Sequence, residues 1–167
     1  MIKAVLVIDM QNICVGKNHS PYFKYDRDNL ITEVNRVIAD NKDNLIVYIK
    51  NVMKKNLINR FAPFKAYEKT EAVELVEELS VVSDYVFEKY TGNAFTNNGL
   101  NNFLSDNKVD TVELIGVDGG GCVFLTAIGA IEKGYKVIVN TKAVGTISEK
   151  NRDNCFKKLE KLGVEFI

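Results

Sequence analysis

The chain has 167 residues, 46% hydrophobic and 26% charged, with 22 basic and 22 acidic side chains. That length and composition predict one globular domain spanning 1–167 with a substantial core, and the charge balance argues against a general nucleic-acid binder. No apolar run approaches the ~18–20 residues of a membrane span, so no membrane partner is expected.

The opening MIKAVLVIDMQN is too short in its apolar part for a signal peptide and has no small-residue cleavage site. Within it, AVLVID (4–9) is continuous and β-branched, which predicts a strand buried on both faces. Leu30, Ile31, Val34, Val37 and Ile38 recur at helical spacing and predict a helix over 28–42. LIVYIK (45–50) predicts a second strand. Val73, Val76 and Leu79 share one side of a predicted helix from Glu71 to Leu79, and YVFEK (85–89) follows as a third strand. Leu100, Phe103 and Leu104 mark a helix, and TVELIGV (111–117) is the fourth strand. Three glycines then lead into Cys122 and a helix over Phe124–Lys133. KVIVN (136–140), a helix over 148–162 and VEFI (164–167) complete the pattern. Alternation of this kind predicts a parallel sheet covered on both faces. The segments 10–25 and 51–66 fit neither period, and both follow strands. They are therefore expected at the carboxyl edge of the sheet, where ligands bind in this architecture.

Three polar residues gather at that same edge: Asp9 ends the first strand, Lys89 the third, and Cys122 lies just past the fourth. A thiol must lose its proton to attack. A helix N-terminus and a nearby ammonium would favour the thiolate, and Asp9 could accept the proton and later return it to a leaving group. Gly119, Gly120 and Gly121 would let the backbone turn sharply and aim N–H groups at a developing oxyanion. Each residue alone also fits a bland reading: inert packing for the cysteine, a solvated charge for the lysine, a loop residue for the aspartate. A phosphate cradle is the rival reading of the glycines, but neither G-x-x-x-x-G-K-[ST] nor a G-x-G-x-x-G after the first strand is present.

The stretches LVIDMQN (6–12), EKYTGNAF (88–95) and GVDGGGCVFLTAIGAIEKGYKVIV (116–139) together resemble the isochorismatase-like cysteine hydrolases, a group that includes nicotinamidases and N-carbamoylsarcosine amidase. The resemblance runs over nearly the whole chain. It implies a three-layer α/β/α sandwich with a six-stranded, mainly parallel sheet. It also implies a catalytic triad of Asp9, Lys89 and Cys122, and an oxyanion hole from the N–H groups of Asp118 and Cys122. A cis peptide between Val117 and Asp118 and a pocket that includes Cys14 and Phe95 come with it. The implied activity is hydrolysis of a small amide or related C–N bond through a thioester. An isochorismatase-type vinyl-ether hydrolase and a non-catalytic small-molecule binder of the same fold are the alternatives. A homo-oligomer in the cytoplasm is expected, and the sparse, odd set Cys14, Cys122 and Cys155 suits a reducing compartment.

The chain departs from that pattern in places. Nicotinamidases carry an Asp-His-His metal site, and this chain has one histidine, His19. No metal and no cofactor are therefore expected. Cys14 stands where an aromatic often lines the pocket. Pro21, Tyr22, Phe23 and Tyr25 form an aromatic loop at the active edge, for which core or subunit packing is the first reading. Lys50, Lys54, Lys55 and Arg60 read as a solvated face or subunit contact.

Overall fold

A computed structural model of the protein describes residues 2–57 and 59–167. In chain order the elements are β1 (Lys3–Ile8), α1 (Asn12–Val15), α2 (Arg27–Asp40), β2 (Leu45–Asn51), β3 (Val86–Lys89), α3 (Asn98–Asp106), β4 (Thr111–Gly116), α4 (Cys122–Glu132), β5 (Lys136–Val144), α5 (Glu149–Lys161) and β6 (Glu165–Phe166). The six strands form one sheet in the order β3-β2-β1-β4-β5-β6, and every pair is parallel.

The sheet has a helical layer on each face, as the unbroken apolar strands require. On one face Leu6, Ile8, Val47, Leu114 and Val139 pack against Leu100 and Leu104 of α3, Val123 and Ala127 of α4, and Leu159 of α5. On the other, Val5, Val7, Ile46 and Tyr48 pack against Leu30, Val34, Val37 and Ile38 of α2 and against Cys14 and Val15 of α1. No helix among the described residues is long and apolar enough to cross a membrane.

The topology fixes where a ligand can sit. From β1 the chain moves outward through β2 and β3, then returns to the other side of β1 for β4, β5 and β6. The reversal leaves a crevice beyond the carboxyl ends of β1 and β4. These two strands approach closely there. Gly116 pairs with Ile8 and has φ 106°, and a Cβ on it would lie 2.1 Å from the Ile8 carbonyl oxygen. Only glycine meets both demands.

One predicted helix is absent. Glu71–Val73 forms a single 3-10 turn, Glu74 and Leu75 run extended, and a turn closed by Leu79 N–H to the Val76 carbonyl follows. Its backbone bonds go outward: Asn12 N–H donates to the Glu74 carbonyl and Val76 N–H to the Met10 carbonyl. Leu75 bridges Gln11 in antiparallel fashion. Val73, Val76 and Leu79 are buried as their spacing suggested. They pin a strap across the end of β1, and three-residue spacing alone cannot tell such a strap from a helix.

Candidate active site

Asp9 follows β1 with its backbone in the left-handed region, φ 54°. Its N–H donates to the Ile49 carbonyl at 2.9 Å, which anchors it to β2. The side chain is buried, and so is that of Lys89 at the end of β3. Lys89 Nζ donates to Asp9 Oδ2 at 2.9 Å and to Cys122 Sγ at 3.2 Å. Three strand ends thus deliver three side chains to one point. Asp9 Oδ1 is buried with no hydrogen-bond partner among the described residues, which leaves it free to take a proton.

The electrostatics differ in one respect from the sequence reading. Burial works against the Lys89 ammonium, but the charge of Asp9 and the contact with Cys122 outweigh it and hold the lysine above its ordinary value. Burial, then the charge of Asp9, pushes the Cys122 thiol up to about 12, and the opposing pull of Lys89 does not prevail. The helix end and Lys89 favour the thiolate but do not prevail, so sulfur needs a proton acceptor, the role the sequence offered Asp9. Taking a small anion out of water beside a carboxylate costs more than one ammonium returns.

Cys122 opens α4, whose N-cap is Gly121, with no side-chain cap. In α3 and α5 the side chains of Asn97 and Ser148 take up an N–H of the first turn. The Val117–Asp118 peptide bond is cis. Among the described residues no acceptor engages the N–H of Asp118 or of Cys122. The Asp118 carboxylate is turned into the loop that follows β5: Oδ2 accepts from Ile147 N–H at 2.5 Å and Oδ1 from Gly120 N–H at 3.0 Å. Burial raises its pKa, and these donors work the other way.

None of the three consecutive glycines has a positive φ. Close approach explains two of them. A Cβ on Gly119 would lie 3.0 Å from Val144 Cγ1, and one on Gly120 would lie 2.5 Å from Asn151 Nδ2. Asn151 Nδ2 also donates to the Gly120 carbonyl at 2.9 Å, so α5 is seated directly on the turn before Cys122.

A cavity of about 300 Å³ opens beside Cys122. Asp9, Cys14, Asp118 and Cys122 line it, as do Tyr22, Phe23 and Tyr25 from the aromatic loop. Those rings are therefore cavity wall as well as packing. Cys14 is buried, and burial followed by the charge of Asp9 raises its thiol well above the ordinary range. Phe95, expected in the pocket, is placed elsewhere. It sits on the 3-10 turn Ala94–Thr96, whose inward face is buried beneath α3 and α4, with its ring 5.4 Å from that of Tyr135.

Sequence reasoning did not single out Gln11, Asn51, Phe64, Ser148 and Asn151, which also line the cavity. Asn51 ends β2, so the strand-end rule that found Asp9 could have reached it, and Ser148 carries the separate signal of a helix N-cap before α5. Gln11 is fully buried. Its Nε2 donates to the carbonyls of Asn51 and Val73, and its Oε1 accepts from Asn51 N–H, tying the strap to β2. No cluster of three or more His, Cys, Asp or Glu side chains suited to a metal ion occurs among the described residues. His19 lies in a loop with Nδ1 2.8 Å from the Gly16 carbonyl oxygen.

A six-stranded parallel sheet between two helical layers, with a cysteine at the N-terminus of the helix after β4, defines an α/β protein of the three-layer class. Residues 3–167 match the family model for the isochorismatase domain, and the chain belongs to that family. The N-carbamoylsarcosine amidase of an Arthrobacter species is 36% identical over 62 residues, a stretch covering 37% of this chain and 24% of that relative. Among solved structures, an isochorismatase-like hydrolase from Alkaliphilus metalliredigens superposes with a TM-score of 0.88 at 26% identity, covering 99% of this chain and 94% of that one. The N-carbamoylsarcosine amidase of Thermoplasma acidophilum gives 0.83 at 26% identity, covering 99% and 95%.

Proposed function

We propose that the protein is a cysteine hydrolase that cleaves a small amide or related C–N bond through a thioester, with Asp9, Lys89 and Cys122 as its catalytic triad and no metal. The observation that carries this reading is Lys89 Nζ bridging Asp9 Oδ2 and Cys122 Sγ at the floor of a ligand-sized cavity. The family membership and the two amidase relatives support it.

The chemistry follows from the protonation states. Cys122 rests as a thiol, so its proton passes to Asp9 as sulfur attacks the carbonyl carbon. The carbonyl π bond breaks, and the oxyanion is received by the N–H groups of Asp118 and Cys122. Collapse expels the amine, which takes the proton from Asp9. Water then gives a proton to Asp9 and attacks the thioester, and the second collapse releases the acid as the proton returns to sulfur. Lys89 stays charged throughout and steadies Asp9 when it is ionised. The reading includes a small-molecule partner, a cytoplasmic setting and a homo-oligomer. Exposed Leu57 and Phe61, beside the cavity loops, suit a subunit contact.

The test is ammonia release from a panel of small amides by the purified protein, with and without a chelator. Turnover that survives chelation and disappears in Cys122→Ala is the expected result. Turnover undiminished in Cys122→Ala, or lost with a stoichiometric metal, would overturn the reading.

A further inference from the structure

The cavity walls bear on the part of the substrate away from the reacting carbonyl. Four rings form one continuous surface. Phe23 lies 5.8 Å from Tyr25 in a stacked arrangement and 4.9 Å from Phe64, and Tyr22 lies 5.2 Å from Phe23 and 5.7 Å from Phe64. All four line the cavity. No lysine, arginine or histidine is among the described residues that do so. Lys89 is behind the nucleophile and engaged with Asp9 and Cys122.

Asp118 is the charge left over. Its carboxylate is held by the uncharged N–H groups of Gly120 and Ile147, and no cation pairs with it among the described residues. A half-buried carboxylate in a ligand cavity, without a counter-ion, is offset when a cation binds beside it. The ring faces add attraction of the same sign, since the negative face of an aromatic ring favours a cation within about 6 Å.

We propose that the substrate is a small amide whose acyl part carries an ammonium-type cation on an apolar body, held between the four-ring wall and the Asp118 carboxylate. The inference rests on the amidase reading of the same site. The other acids of the wall agree with it. Burial first, then the negative charges of Asp118 and Asp9, holds Tyr25 far above its ordinary value, so the cavity resists further negative charge. A substrate carboxylate would lose its hydration and find two carboxylates and no free cation. At about 300 Å³ the cavity is at the small end of ligand sites, which limits the acyl group to about the size of a substituted benzoyl.

The test uses para-(aminomethyl)benzamide, its neutral isostere para-ethylbenzamide, and the anion para-carboxybenzamide, whose substituent is one heavy atom larger. Binding to Cys122→Ala is measured by calorimetry, which needs no turnover. The cation is expected to bind about tenfold more tightly than the neutral amide, and the anion about tenfold more weakly. Adding Asp118→Asn should bring the ratio of cation to neutral affinity close to one. If that variant disturbs the turn and binds neither amide, Tyr22→Leu at the exposed rim decides, with a larger loss expected for the cation than for the neutral amide. No detectable binding of the cation overturns the proposal. So does neutral or anionic binding as tight as the cation's, or equal loss of all three in Tyr22→Leu. If the affinity order holds but the wild-type protein hydrolyses no amide, the cation site stands and the amidase reading falls.

Discussion

Lys89 Nζ lies 2.9 Å from Asp9 Oδ2, and both side chains are almost wholly out of water. Each charge makes the burial of the other tolerable, and neither is comfortable alone. Removing one partner is therefore a harsher change than removing both. Lys89→Met should destabilise the fold by about 3–5 kcal/mol in denaturant titrations. Lys89→Met combined with Asp9→Asn should regain most of that loss while staying inactive. A double variant no more stable than Lys89→Met would mean that the pair is not the unit described here.

Asp9 raises the Cys122 pKa and also offers the oxygen that takes the thiol proton, so its two effects can be separated. Asp9→Asn removes the raising charge and leaves Lys89 beside the sulfur. The Cys122 pKa should fall, and its alkylation by iodoacetamide at neutral pH should quicken by about tenfold or more. Turnover should move the opposite way, falling by roughly 10²–10⁴ for want of a base. A variant slow in both assays would mean that the Asp9 charge is not what holds the Cys122 proton in place.

The sheet and the meeting of Asp9, Lys89 and Cys122 at its edge were legible because both are written in local pattern. Buried parallel strands are continuous apolar runs, and a polar residue ending such a run has one destination, the carboxyl edge. Asp9, Lys89 and Cys122 were found that way. What the pattern could not show was contact between distant segments. The strap 71–79 looks helical by spacing, and its hydrogen bonds to residues 10–12 are invisible in sequence. Phe64 and Asn151 come from loops and helix ends whose direction is set only once the sheet is assembled. The balance of forces on Cys122 is hidden for a related reason. A helix end and a lysine can be read from sequence, but the depth of burial that outweighs them cannot.

Phe64 and Phe95 test the division between wall and core. Phe64 lines the cavity, whereas Phe95 is buried under α3 and α4. Phe95→Ala should cost about 3–5 kcal/mol of stability. At a temperature where it is folded, its KM should be close to that of the wild type. Phe64→Ala should cost far less stability and raise KM several-fold. Steady-state kinetics and thermal melts on the two variants check this, and a KM effect confined to Phe95→Ala would reverse the assignment.

Gly120 should tolerate no side chain, because α5 rests on it. A Cβ there would meet Asn151 Nδ2 at 2.5 Å and the Arg152 backbone nitrogen at 3.1 Å. The Asn151 side chain must swing away and release the Gly120 carbonyl, and the Arg152 backbone must give by a few tenths of an ångström, at a cost of about 1–3 kcal/mol. Since the same turn carries the Asp118 and Cys122 N–H groups, Gly120→Ala should lower kcat more than it raises KM. Asn151→Gly removes the nearest obstacle, and part of the lost kcat should return in the double variant. No recovery would place the damage at the Arg152 backbone instead.

The raised Cys122 pKa also predicts how stability depends on alkaline pH. The thiol is near 9.0 when unfolded and at about 12 in the fold. Below pH 9 both states hold the proton, and the group's full stabilising contribution is present. Between about pH 9 and pH 12 the unfolded chain releases the proton while the folded one retains it. The folded state then binds more protons, so stability falls as pH rises through that window. Near pH 10.5 the loss is roughly 2 kcal/mol, since each pKa unit is worth about 1.4 kcal/mol. Cys122→Ala lacks this group; Lys89, Tyr25 and Cys14, which feel its charge, change with it, and groups remote from it titrate alike in both proteins. The wild type should therefore lose about 2 kcal/mol relative to Cys122→Ala between pH 8 and pH 10.5, read from urea titrations at each pH. Parallel curves would mean that Cys122 titrates in the fold as it does in water, and that burial and Asp9 do not hold its proton.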